Sequence, residues 1–248
     1  MMRSTVRLAC VLFVTAFSID VLCAAPLTRE PVAQRLASGT RDLSNLEAPG
    51  ADLAGLDFTE VSLFGANLKG ANLSKAKLER CNLDVAVLRD AILVGANLRN
   101  ASLFASVLAN ANLSGADLRG ARLMGNLERA NLEGANLGEA KGGSDMRNQP
   151  MGLIRLVLTN ARLKGARLDG GDFSRADFSY ADLRDADLSR ANFTGVKLVG
   201  ADLSGANLEG TKLDGAEIHN ANFSRVRGLV RASGLERTKG RETAIFDP

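Results

Sequence analysis

The chain has 248 residues, of which 46% are hydrophobic, with 31 Lys/Arg against 28 Asp/Glu and a formal charge of +3. That apolar content excludes a disordered polar segment, and the near balance of charge excludes strong electrostatic steering to nucleic acid or an acidic membrane surface. The apolar residues are mostly Leu and Ala, with no Trp and one Tyr.

The first segment has the layout of a secretory signal. Arg3 and Arg7 supply a positive start, Leu8–Ile19 is a short apolar run, and VLCAA ends it with small residues. The run is too short for a membrane-spanning helix. Residues 1–23 are therefore expected to be cleaved, leaving a periplasmic or secreted chain without a membrane span. Cys10 and Cys23 leave with the signal, so Cys81 remains without an internal disulfide partner. Residues 24–40 follow as an N-terminal cap, in which LTREPVAQRLASG (27–39) predicts a short helix. Pro31 suits its first turn and Gly39 its end.

From residue 41 the chain repeats every five residues, as in ADLSGANLEG at 201–210. Take the central residue of each unit as i. From Leu43 to Leu123 it recurs seventeen times, fifteen as Leu; from Leu153 to Phe223 it recurs fifteen times, as ten Leu, four Phe and Ile218. Position i−2 is Ala in most units. A helix turns about 100° per residue, so leucines five apart would scatter around its surface. A long straight strand fails as well, because five is odd and successive leucines would alternate faces. A coil that runs extended for about three residues and turns a corner in the next two keeps every Leu and Ala inside. Gly at i+2 suits the corner, and Asn or Asp at i−1 suits a wet exterior with local hydrogen bonds. Stacked coils would bury one continuous column. The core residues expected on this basis include Leu68, Leu73, Leu113, Leu118, Phe173, Phe178, Leu183, Leu188, Leu203 and Leu208.

These A(D/N)LxG phrases, running over about residues 41–228, resemble the pentapeptide-repeat family. The resemblance implies an all-β fold, a right-handed quadrilateral parallel β-helix with four pentapeptides per coil, to which the short helix over 27–39 adds an N-terminal cap. About nine coils would make a rod of roughly 45 Å.

The phase slips once, where Leu123 is followed by Leu127. Then GGSDMRNQPMG (142–152) interrupts with glycine, polar residues and Pro150, and reads as a loop leaving the coil. The original phase resumes at Leu153. Between residues 81 and 110 the outward slots turn apolar. The candidate interface comprises Val85, Val87, Ile92, Val94, Phe104 and Val107, with Phe64 and Met124 on the same side as Phe104, whole coils away from it. Residues 229–248 are expected to close the last coil and continue as a solvated basic tail.

No catalytic constellation is legible. His219 is the only histidine and sits in an outward slot, with no second imidazole to share a metal. Cys81 takes an Ala position and reads as a small core filler. Asp172, Asp177, Asp182 and Asp187 are spaced by five, so they fall on four different sides rather than in one metal-binding cluster. No cofactor, metal or nucleic-acid partner is expected. The reading is a non-enzymatic exported scaffold that binds an unidentified protein, with a homodimer as one form. An alternative comes from the resemblance: some family members imitate DNA and modulate DNA gyrase. A positive chain with a signal segment argues against it, since imitation of DNA needs a strongly negative surface.

Overall fold

The computed structural model describes residues 27–144 and 155–247. The expected signal segment, Leu153 and residues 145–152 of the expected loop lie outside the described residues.

The five-residue period resolves into a stacked solenoid. In most units the residue at i−1 forms a single parallel bridge with its counterpart one coil away, and successive units fall into four bridge columns. Asn67 pairs with Val87, Asn72 with Ile92, Lys77 with Asn97 and Asn82 with Ser102, after which Val87 begins the next coil. Regular partners are thus four repeat units apart. We number the sides from the bridge columns that begin at Asp42 (side I), Glu47 (side II), Asp52 (side III) and Asp57 (side IV).

The letters of the repeat each have a physical job. Leu68 Nα donates to Val87 O at 2.8 Å, which ties coil to coil. Ala71 Nα donates to Leu68 O at 3.0 Å and closes the corner. The i+2 residue between them takes a left-handed backbone, as at Gly70 with φ 65°. Glycine accepts that geometry without cost, whereas other residues lose about 1–2 kcal/mol. The Asn or Asp at i−1 accepts from the backbone N–H two residues on, for example Asp202 Oδ1 from Ser204 at 2.9 Å and Asp172 Oδ1 from Ser174 at 3.0 Å. This satisfies a corner donor that has no ladder partner.

Positions i and i−2 point inward. The ten core residues named above are all at most 1% exposed, and Cys81 is buried among them. Burying one leucine side chain stabilises by about 1.5–3 kcal/mol, and the coils stack these contributions into a single column. Phe173, Phe178 and Phe193 replace leucine in the later coils, with ring centroids 5.2–5.9 Å apart. The first ring fits because Gly171 stands where Ala is usual: a Cβ there would lie 2.5 Å from Phe173 Cε2.

Helix α1 (Arg29–Ala37) lies over the first coil, within the 27–39 range expected. Val32 is fully buried, Leu27 and Leu36 pack on the column, and Arg29 donates to Ala54 O at 2.9 Å.

Two departures occupy the middle of the solenoid. Strands β1 (Ser102–Val107) and β2 (Arg122–Asn126) pair in parallel around what should be the corner between sides I and II. The pairing slips there: Phe104 faces Met124, and Ser106 faces Gly125, leaving Ala105 without a partner. The shortened step from Leu123 to Leu127 has removed one corner residue. Bridges over the next sides therefore join partners one position closer in sequence than the regular spacing, as with Asn112 and Asn131. The bridges after that span a much longer interval, as with Asn131 and Arg162.

The C-terminal segment corrects the expectation of a basic tail. Residues 227–245 make a further coil with a period of six, bridging at Arg227, Ser233, Lys239 and Ile245. Gly228, Gly234 and Gly240 have φ of 72–80° and stand where the inward leucine would be. A Cβ on Gly228 would lie 2.7 Å from the Glu209 backbone. The chain tucks beneath the column instead of extending it, and Leu229, Leu235 and Phe246 pack on its end. Of the residues expected to close it, Val230 points fully into solvent. Three of its basic residues are clasped to the coil above: Arg231 to Glu209, Arg237 to Asp214 and Lys239 to Glu217.

Candidate interaction surface

The bridge columns place every residue of the expected apolar band. Phe64, Phe104 and Met124 belong to side I, Val85 sits at the corner between sides I and II, Val87 and Val107 lie on side II, and Ile92 and Val94 lie on side III. The band is therefore not one patch. Ile92 and Val94 are separated from Phe64, Phe104 and Met124 by the column that holds Val87 and Val107.

Two further corrections concern side I. Met124, expected outside, is 5% exposed. Phe104 is half-buried, and the Arg122 guanidinium lies 4.1 Å from its ring centroid in a cation–π contact. Arg122 also faces Asp84 Oδ2 at 4.0 Å, while Asp84 Oδ1 accepts from Phe104 Nα at 2.8 Å. Phe104 is thus held in a charged frame. Phe64, Val85 and Ile92 are the band residues that stay openly exposed; Val87, Val94 and Val107 are half-buried.

What remains is centred on the corner between sides I and II, and the irregularities of the middle coils stack on that same corner. Successive coils carry Val85, the unpaired Ala105, the missing residue at Gly125, and the interval from 144 to 155. Val85 has φ 62° and is 47% exposed. A β-branched side chain in the left-handed region is a genuine outlier, because Cβ crowds the backbone. Below it, Gly125 meets the backbone of Ser106: a Cβ would lie within 3.1 Å of its nitrogen and closer still to its oxygen. Ser106 fills a core Ala position and donates its hydroxyl to Leu103 O at 2.7 Å. A shallow dent of about 260 Å³ opens here, lined by Ala105, Ser106, Val107, Gly125, Val157 and Arg155.

Sequence reasoning missed Val157, Gly125 and the strain at Val85. The last was readable, since valine at i+2 breaks the corner rule. Val157 was not, because its place in the Val87–Val107 column depends on the long interval that separates it from Asn126.

The remaining candidates are dispersed. His219 is half exposed, 4.0 Å from the Glu242 carboxylate. Cys81 is buried and its thiol is pushed up to about 12 by burial, so it is unreactive near neutrality. Asp172, Asp177, Asp182 and Asp187 bridge four different columns. Arg184 grips Asp182 at 2.7 and 2.6 Å and holds its carboxyl below the usual range. Among the described residues no group of three or more His, Cys, Asp or Glu is placed to hold a metal ion, and no helix is long and apolar enough to cross a membrane.

The family model for pentapeptide repeats matches in 8 copies, over residues 42–80, 66–104, 81–120, 105–125, 157–195 and 191–227. No curated protein matches. Among solved structures, HetL, a pentapeptide repeat protein involved in heterocyst differentiation regulation from the cyanobacterium Nostoc sp. strain PCC 7120, is 29% identical. The match covers 89% of this chain and 97% of that one, with a TM-score of 0.46. A trypsin-treated form of QnrB1, a plasmid-mediated fluoroquinolone resistance protein, is 17% identical over 83% of this chain and 88% of its own, with a TM-score of 0.47. Rfr23 from the cyanobacterium Cyanothece 51142 is 29% identical over 47% of this chain and 88% of its own, with a TM-score of 0.28.

Proposed function

The chain belongs to the pentapeptide-repeat family, and from that membership we propose that it works as a non-enzymatic, exported scaffold that binds a protein partner at the corner between sides I and II. We take the solenoid as right-handed and quadrilateral, with α1 as the cap that keeps the first coil's open edge from pairing with other chains. Proteins of this family are generally structural or interaction proteins rather than enzymes.

One observation carries the reading. A strained, exposed valine, a deletion with the bulge it causes, and an interruption share one corner, although each has four corners available. Strain and irregularity are tolerated where a function needs them. The half-buried Val87 and Val107 and the exposed Phe64 and Val85 extend the apolar surface around that corner. The occupant is a separate protein or a second copy of this chain. The gyrase reading stays second, because the chain is +3 where an imitation of DNA must be strongly negative.

Site-specific photocrosslinking from the producing cell's envelope tests this. A photoreactive residue at Val85 should give a discrete adduct that one at Gly165, on a regular corner, does not. Equal labelling from both sites, or none from Val85, would refute the corner as an interface. N-terminal sequencing of the same material tests export separately, and a mature chain beginning near Ala24 is the expected result.

A further inference from the structure

The last coil is fastened differently from the coil above it. In the coil at 205–224 the inward side chains, from Ala206 to Phe223, are at most 1% exposed. In the strap formed by residues 225–247 only Gly234 and Gly240 are buried, so no side chain of the strap is. A Cβ on Gly234 would lie 2.5 Å from Asp214 N, which leaves the strap no room for an inward column of its own. We propose that this strap opens as a unit and closes the column end of a second copy, so that two chains exchange straps as a swapped dimer.

Backbone pairing and charge hold the strap in place. Leu208, Leu213, Ile218 and Phe223 donate their N–H groups to the carbonyls of Arg227, Ser233, Lys239 and Ile245 at 2.7–2.8 Å. The strap carries six Lys/Arg against three acids, whereas 205–224 carries three acids against one Lys. Arg231 meets Glu209 at 2.5 Å, Arg237 meets Asp214, and Lys239 meets Glu217 at 3.7 Å, each with an exposed cation. The Phe246 ring stacks on Phe223 with centroids 5.2 Å apart. Exposed ion pairs are weak and are screened by salt, and elements with few buried apolar contacts open before the rest of a fold.

All of these contacts run between strap and column, so a second copy offers every one of them in trans. The period of six and the three glycines fit this column end and not a regular coil, so the acceptor that the strap matches is the same end of another chain. An emptied end would expose unpaired N–H and C=O groups on every side, and an incoming strap satisfies them again. The hinge is the corner at Arg225, a non-glycine residue held at φ 55°. Straightening it relieves left-handed strain, and short strained hinges favour exchange. With two columns set end to end, the straps fill the two layers between them. Each hinge then crosses about 10 Å, which residues 224–227 span when extended.

Two charge-reversed chains test the exchange. One carries Arg231→Glu and Lys239→Glu, the other Glu209→Arg and Glu217→Lys, so each strap clashes with its own column and matches the other chain's. Sedimentation at low salt should show mostly monomer for either chain alone and, in the equimolar mixture, heterodimer at least about tenfold more abundant than either homodimer. Amide exchange of the same samples should show strap protection lost in each chain alone and regained in the mixture. In the parent chain, the strap amides and the N–H groups of Leu208, Leu213, Ile218 and Phe223 should exchange about tenfold faster in about 1 M NaCl than in about 50 mM. The amide of Leu198, bonded to Glu217 O within the column, should keep its rate. No heterodimer, a heterodimer whose straps stay unprotected, or strap amides that exchange only together with Leu198 would overturn the proposal. Val85→Gly in both chains should leave the heterodimer intact; its loss would place the contact on the corner between sides I and II and overturn the exchange.

Discussion

Coils 157–225 and the stretch 102–144 share one core chemistry and differ in their corners. In the later coils partners stay four repeat units apart throughout, and each bridging Asp or Asn caps its corner. In the earlier stretch the spacing first falls one position short and then widens, and a bulge replaces a turn. Yet Leu103, Leu108, Leu113, Leu118 and Leu123 are as buried as Leu183 and Leu188. The column tolerates an added or missing residue only at a corner, where the chain already points outward. A one-residue change within a side would swap inward and outward faces, because side chains alternate.

That contrast can be broken outright. Leu183→Asp puts an unpaired charge in a fully buried site of the regular region. It should abolish folding, seen as loss of the cooperative thermal transition, whereas Asp182→Ser on the outer surface should leave a transition close to that of the parent. A sharper form compares two glycines. Gly125→Ala drives a Cβ into the Ser106 backbone and should cost about 3 kcal/mol. Gly115→Ala meets nothing within 4 Å and carries only the left-handed penalty of about 1 kcal/mol. Urea midpoints would separate the two, and equal losses would show that the bulge is not the tight point. The smallest effect should run the other way. Val85→Gly releases the left-handed strain and should stabilise by about 0.5–1 kcal/mol, while removing apolar surface from the proposed interface. A destabilised Val85→Gly would mean that the valine side chain supports the coil instead.

Much of this was legible beforehand because the pattern is local. Leu68, Leu183 and the other i positions were identified by the repeat spacing alone, and Gly70 and Gly200 by the needs of a corner. The apolar band was read less well. Met124 and Phe104 were placed outside by counting whole coils, but the deletion beside Gly125 and the guanidinium of Arg122 cover or frame them. The last coil escaped notice because its period is six and its inward positions are glycine.

The sequence by itself determined the repeat, the inward column and the corner chemistry, since each depends on residues at most a few positions apart. The tertiary structure alone decided which residues share a side and a corner. Stacking converts every insertion and deletion upstream into a new neighbour across the coils. Val85, Ala105 and Gly125 are equal coils apart, but Val157 joins their edge only after coils of unequal length are laid one on another.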